Sequence, residues 1–280
     1  MSQFWYTLTN PLCEELLKEE MNLYYPKFKL SFSSPQFITF KSEDTTVIKD
    51  LKFAHDWGNC INVKNPHEIK DYLELPLTDI KNHKEEYYLK TKNNFWFLKS
   101  TKRNFLFPHL GQSFVHPELN VPSRAYFKIL EAVFVTKTDL SACSNVLDLG
   151  ASPGGASYYF LENNLKVLGI DPGMMDQICL EHKNFRHLQM SIQHVGRNEL
   201  NSPYDIVACD INLPGSDVFP HLMNIIEHLK PKYLFWTIKI NKPREILKLD
   251  EFRRVLLTFY QNVHFISLPG HKKETLLFCR

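Results

Sequence analysis

The stretch VLDLGASPGGAS, residues 146–157, concentrates the residues that could hold a ligand. An apolar run ends in an acid, Asp148, and enters a turn holding Gly150, Pro153, Gly154 and Gly155 before helix-forming sequence resumes. Residues without a Cβ permit unusual backbone angles and let a ligand approach the main chain closely. Asp148 closes the run, where it can either receive a cationic ligand group or hold the turn. The spacing G-x-x-P-G-G is not the dinucleotide pattern G-x-G-x-x-G, and it lacks the Lys-Ser/Thr of a phosphate-binding loop. A second run, VLGIDPGMM, ends in Asp171. The acid follows the turn at about the 20-residue separation at which a carboxylate meets a ribose 2′-hydroxyl in nucleoside-binding α/β domains. Ribose recognition without a pyrophosphate cradle favours S-adenosylmethionine over NAD. Cys209, which precedes Asp210, reads as a buried strand cysteine rather than a nucleophile.

Such a turn must be presented by a sheet. NVLDLG, LKVLGID, FRHLQM, YDIVACD and KYLFWTIK are short apolar runs separated by helix-length segments. Continuous apolar strands alternating with helices predict a mostly parallel sheet covered on both faces, with its ligand at the carboxyl ends of the strands. SRAYFKILEAVF, ahead of them, reads as a helix with Ser123 as its N-cap. The terminal VHFISLPGHKKETLLFCR reads as two strands joined by a Pro-Gly turn, an antiparallel hairpin closing the sheet.

The first half has another rhythm. FWYTL reads as a strand, PLCEELLKEEM as an amphipathic helix with Leu12, Leu16 and Leu17 on one face, and QFITFKS as a second strand. This β-α-β start predicts a small α+β module of ferredoxin-like kind. EEYYLKTKNNFWFLKSTKRNFLF, rich in aromatics, reads as a hairpin or meander. HPELNVPSR, residues 116–124, interrupts both patterns with two prolines and sets a boundary between domains 1–121 and 122–280.

The whole-chain quantities agree with two domains. The chain has 280 residues, 44% apolar and 23% charged, with no internal repeat, and a net charge of +2 that implies no polyanion partner by itself. Six cysteines without a C-x-x-C pair argue against a disulfide framework or a structural zinc. The N-terminal residues show no signal-peptide features, and no apolar run approaches the roughly 20 residues of a membrane span. A soluble cytoplasmic protein without metal or membrane partner is expected.

SRAYFKILEA, VLDLGASPGGAS, GIDPGMM, YDIVACD, LFWTIK and KKETLLF together resemble the FtsJ/RrmJ-type ribose 2′-O-methyltransferases, and most closely their RlmM branch, which methylates a cytidine ribose of large-subunit rRNA. The resemblance covers residues 122–280. It implies a Rossmann-like methyltransferase domain, and the first half is similar to the THUMP-like RNA-binding module of that branch. It implies S-adenosylmethionine held by Asp148, Gly150, Ala151, Ser152, Pro153, Gly154, Gly155, Asp171 and Met174. Ser191 or Gln193 stand near the adenine, where relatives often carry an acid, and Asp210 closes the cofactor site. Many relatives have Trp where this chain has Ala156. The resemblance also implies a catalytic tetrad of Lys128, Asp210, Lys239 and Glu274.

Taken singly, Lys128 reads as a solvated helix residue and Glu274, beside Lys272 and Lys273, as a surface strand charge. Asp210 and Lys239 each close an apolar strand at the ligand-binding edge. Methylating a ribose hydroxyl requires aiming the oxygen and removing its proton. A free lysine, with a pKa of about 10.4, is a poor base at neutral pH. A second lysine and desolvation disfavour its charge, while carboxylates orient the ammonium groups. Lys239 can then serve either as base or as an electrostatic aid to ionisation. RNA, expected to be rRNA, is the partner implied; Arg124 beside the tetrad helix, and Lys99, Lys102 and Arg103 in the aromatic stretch, are the candidate phosphate contacts. Two other readings stand beside this one: an inactive RNA-binding assembly protein that keeps the fold, and a small-molecule methyltransferase. The oligomeric state is not legible.

Overall fold

The computed structural model describes residues 3–43, 47–64, 69, 72–74, 85–103, 120–200 and 203–280. The chain divides into two compact units, Met1–Gln112 with Pro269–Lys273, and Ser113–Leu268 with Glu274–Arg280.

The first unit runs β1 (Gln3–Thr9), α1 (Glu14–Tyr24), β2 (Lys29–Ser34), β3 (Phe37–Ser42), β4 (Ala54–Val63), β5 (Leu73–Glu74), β6 (Glu86–Lys90) and β7 (Phe95–Arg103). They form one seven-stranded sheet in the order β2-β3-β1-β4-β7-β6-β5. β3 lies antiparallel between β1 and β2, the split β-α-β arrangement of a ferredoxin-like unit, and β4 pairs antiparallel on the far side of β1. Among the described residues no second helix joins β3 to β4. Tyr6, Leu8, Phe37, Cys60, Leu89, Trp96 and Leu98 share one apolar cluster. Phe32 on edge strand β2 reaches Trp96 on β7 with ring centroids 5.4 Å apart, so the sheet curls around that cluster. The predicted hairpin is β6–β7; its last residues, 104–107, lie outside the described ones.

α1 buries Leu16, Leu17 and Met21. Leu12 does not join them: it sits before the helix at φ 70° and is 58% exposed, because the turn closed by the Cys13 N–H to the Asn10 carbonyl precedes the first helical residue. Glu20, also buried, accepts the backbone N–H of Lys52 at 2.8 and 3.0 Å and that of Phe53 at 3.3 Å. Burial pushes its carboxyl up to about 7 despite the Lys52 charge. Glu20→Ala strips the acceptor from two buried N–H groups and is expected to cost about 2–4 kcal/mol of this unit's stability, read from urea denaturation. An unchanged midpoint would show that the acceptor is dispensable.

The second unit runs α2 (Ala125–Thr136), β8 (Asn145–Leu149), α3 (Gly155–Glu162), β9 (Lys166–Ile170), α4 (Gln177–Leu180), β10 (Phe185–Leu188), β11 (Ile206–Cys209), α5 (Gly215–Leu229), β12 (Tyr233–Lys239), α6 (Ile246–Leu256), β13 (Val263–Ile266) and β14 (Glu274–Cys279). Its sheet has the order β10-β9-β8-β11-β12-β14-β13. The first five are parallel, and β14 inserts antiparallel between β12 and β13. This is a Rossmann-like α/β fold whose strand order reverses between β8 and β11. The closing pair of strands is present, but residues 267–273 join it rather than a tight Pro-Gly turn.

The apolar runs are continuous because both faces are covered. β11 is buried throughout, and β8 from its second residue onward. On one face Phe219 of α5 stacks on Trp236 of β12, and Phe252 of α6 contacts both rings at 4.4 and 5.2 Å. On the other face α2 packs against α3. Ser123 acts one position earlier than a formal cap: its hydroxyl accepts the Ala125 N–H at 3.3 Å. Gly155 is required by this packing, since a Cβ there would lie 2.8 Å from both the Ser123 carbonyl oxygen and the Tyr126 nitrogen.

Candidate active site

The carboxyl edge of the second sheet gathers two lysines and two acids from four elements. Asp210 follows the last residue of β11, whose neighbour β12 ends in Lys239. β14 begins with Glu274, which sits directly opposite Lys239 in the antiparallel register. Directly opposed strand residues share a face with Cβ atoms about 5 Å apart, so this register alone brings the two charges together. Lys128 comes from the first turn of α2.

The four close a ring of alternating charge. Lys128 Nζ lies 3.1 Å from Asp210 Oδ2 and 2.8 Å from Glu274 Oε1. Lys239 Nζ donates to Asp210 Oδ1 at 2.6 Å and to Glu274 Oε2. Each lysine bridges both acids, and each acid spends one oxygen on each lysine. The side chains are between 5% and 21% exposed, enough to meet a ligand from one side only. Burial alone would push the Asp210 carboxyl up; the charges of Lys128 and Lys239 outweigh it and hold it below the usual range. For Lys239 burial acts downward, and Asp210 and Glu274 outweigh it, so the ammonium form is reinforced. Lys239 is therefore not a ready base in this arrangement. It can accept a proton only as it passes one to a carboxylate.

The adjoining crevice lies outside β8 and β9. Gly150, at φ 80°, starts its first wall; a Cβ would stand 3.0 Å from the Asp210 carbonyl, so the residue is set by the approach of the turn after β11 as well as by any ligand. Ala151, Gly154 and Gly155 are buried, and Ser152 and Pro153 reach the surface. Ser152 Oγ donates to the Met174 carbonyl at 2.7 Å, tying the turn after β8 to the turn after β9, while the Met174 side chain is 83% exposed. Asp171 Oδ1 accepts the Gly173 N–H at 2.6 Å, and among the described residues its other oxygen has no protein partner. That open carboxylate oxygen is an acceptor that fits the hydroxyls of a ribose diol. α3 begins without a side-chain cap, so its first N–H groups fit a ligand carboxylate beside it. The residues suit S-adenosylmethionine. Its sulfonium would supply an activated methyl group there.

Other expected positions fall elsewhere. Asp148 is turned inward, 1% exposed, and accepts the Ser157 hydroxyl at 2.6 Å, so it holds the turn from beneath. Ser157 was not singled out in the sequence; its only signal is a serine in the first turn of the helix that follows the glycines. Ser191 is half-buried and bonded to His194 Nδ1 at 3.0 Å, Gln193 is exposed, and His187 Nε2 meets the Asp171 carbonyl at 3.0 Å. Arg124 is exposed one turn from Lys128. Lys99, on β7 of the first unit, pairs with Glu86 at 2.9 Å. Lys102 and Arg103 lie in β7 by backbone register, and their side chains lie outside the description. Among the described residues no group of three His, Cys, Asp or Glu could hold a metal ion, and no helix is long and apolar enough to cross a membrane. None of the six cysteines forms a disulfide.

Comparison with known proteins adds to this geometry. The model of the FtsJ-like methyltransferases matches residues 121–262, a stretch that holds Lys128, Asp210 and Lys239 and stops before Glu274. An uncharacterised protein of Methanocaldococcus jannaschii is 25% identical over 134 residues, 46% of this chain and 37% of its own. The ribosomal RNA large subunit methyltransferase M of Aeromonas hydrophila is 27% identical over 158 residues, 50% of this chain and 43% of its own. The chain thus spans less than half the length of these curated relatives. Among solved structures, fibrillarin of Aeropyrum pernix with natively bound S-adenosyl-L-methionine is 11% identical, with 72% of this chain and 86% of that one covered at a TM-score of 0.39.

Proposed function

The chain belongs to the FtsJ-like methyltransferase family, and we propose that it transfers a methyl group from S-adenosylmethionine to a ribose 2′-hydroxyl of RNA in the cytoplasm, with large-subunit rRNA as substrate. The closed ring of Lys128, Asp210, Lys239 and Glu274 carries this reading. Such a ring suits a hydroxyl that must be aimed and deprotonated. A base nitrogen with a free lone pair has no use for it. The relatives named for large-subunit rRNA methylation support the substrate class, and the intact ring speaks against an inactive assembly protein. Residues 122–280 act as the catalytic domain and residues 1–121 as a THUMP-like module for RNA recognition.

A ribose 2′-O-methyl group removes the hydroxyl that attacks the adjacent phosphodiester in alkali. Large-subunit rRNA from cells lacking the protein, treated with the pure enzyme and S-adenosylmethionine, is expected to gain one alkali-resistant linkage. Methyl groups recovered on bases instead would overturn the assignment.

The cofactor reading has its own test. Asp171→Ala is expected to weaken S-adenosylmethionine binding by about 1.5–3 kcal/mol in calorimetry, the worth of hydrogen bonds to a charged acceptor. Equal affinity in the variant would remove Asp171 from the site. For the RNA, Arg124→Ala is expected to lower affinity and to reduce the slope of log K against log salt by about one unit, the mark of a lost phosphate contact. An unchanged slope would take Arg124 out of the interface.

A further inference from the structure

Beside the ring, between α2 and the sheet, lies a partly open cavity of about 20 Å³ whose mostly apolar wall includes Lys128, Asp148, Asp210 and Thr237. Four small side chains, Ala125, Ala132, Ala156 and Ala208, line it. A space of that size holds one water molecule, which needs two to four polar partners. Lys128, Asp148, Asp210 and Thr237 are the groups on its wall available to such a water.

Asp148 is the unused group here. The ring does not include it, and it is buried, with Ser157 its one side-chain hydrogen-bond partner among the described residues. Cys209 and Asp210 face it from the end of β11, Asp171 from the end of β9, Cys179 from α4 and Lys128 from α2. Burial pushes its carboxyl up to about 7, opposed by the Ser157 hydroxyl and reinforced by the charges of Asp210 and Asp171. A carboxylate in that range can hold a proton and release it at neutral pH, whereas Asp210 is held low and Lys239 high.

We propose that Asp148 is the terminal proton acceptor of the reaction, joined to Asp210 by a water molecule in this cavity. The proposal rests on the ribose-methylation reading. The ribose oxygen bonds to the methyl carbon as the carbon–sulfur bond breaks, with the electron pair left on sulfur. The hydroxyl proton moves to Lys239 as an ammonium proton of Lys239 moves to Asp210, and Asp210 passes a proton through the water to the Asp148 carboxylate. The positive charge lost at the sulfonium matches the negative charge lost at Asp148, and the ring ends in its starting protonation state. Asp148 later loses its proton to solvent.

Two measurements on the full chain test this. In carbon NMR with labelled aspartate and no substrate, one carboxyl is expected to titrate near pH 7, to vanish in Asp148→Asn, and to shift downward in Asp210→Asn as the neighbouring charge disappears. A carboxyl that titrates near 4, or one that Asp210→Asn leaves unmoved, would break the link whatever the substrate is. In single turnovers the wild-type rate is expected to rise about tenfold per pH unit up to about 7 and then level, because the acceptor must be ionised. Asp148→Asn, which preserves the Ser157 bond, is expected to slow transfer at least tenfold and to abolish that limb with cofactor affinity within about twofold. Ala208→Val keeps the carboxyl and expels the water, and it should act alike. Either variant retaining the limb would overturn the proposal. A wild-type enzyme that methylates a base would instead count against the function, with the titration still deciding the acceptor.

Discussion

Lys239→Ala is expected to abolish methyl transfer while leaving S-adenosylmethionine affinity within about twofold. Lys239 ends β12 at the sheet edge and donates to both acids of the ring, and among the described residues no hydrogen bond or ion pair joins it to the turns after β8 and β9 that line the cofactor crevice. The loss should therefore fall on the transition state rather than on cofactor binding. A positioned proton-transfer group is worth about 10²–10⁴ in rate, and its absence also leaves Asp210 and Glu274 sharing one lysine. Lys239→Arg should fail almost as completely. Guanidinium retains the positive charge but cannot release its proton to Asp210 and then accept another. Single-turnover transfer, with alkali resistance as the product assay, measures the rate, and calorimetry measures the cofactor. Substantial activity in Lys239→Arg would show that charge alone suffices and that no proton passes through this side chain.

The parts of this site that are legible in the sequence are those built from local contrast. A run–turn–helix such as VLDLGASPGGAS announces a strand edge because apolar residues stop abruptly at glycine and proline, and Asp210 and Lys239 stand out as charges ending apolar runs. Glu274 is not legible that way. Beside Lys272 and Lys273 it resembles a surface charge, and only its register opposite Lys239 buries it. The inward turn of Asp148 is equally hidden, since it depends on Ser157 approaching from the next helix. In the first unit, β2 and β4 are not legible in the sequence. KLSFSS is mostly polar and lies on a sheet edge, and Gly58 breaks the alternation of β4 at a bulge. That glycine is dictated by a non-local contact: a Cβ there would fall 2.0 Å from the Lys99 carbonyl oxygen of the neighbouring strand.

Stability and catalysis are expected to separate at Glu274. Its side chain is 5% exposed and spans both lysines, so Glu274→Ala leaves two largely buried ammonium groups on the single carboxylate of Asp210. Breaking a buried pair from one side typically costs about 3–5 kcal/mol, because the remaining charge keeps its desolvation penalty without its partner. The variant should unfold at lower urea and transfer no methyl group. Adding Lys239→Met to a Glu274→Leu chain removes the opposed charge and fills the space with apolar atoms across the same β12–β14 register. Replacing both members of a buried pair by apolar residues of similar volume is commonly neutral or stabilising, so most of the lost stability should return. Activity should not return, since the proton path through Lys239 is gone. The ring acts as a unit, and the double variant should be no slower than either single one. A double variant as unstable as Glu274→Ala would mean that the cost lies in packing rather than in the unpaired charge. Recovery of transfer in the double variant would show that methylation needs neither Lys239 nor Glu274.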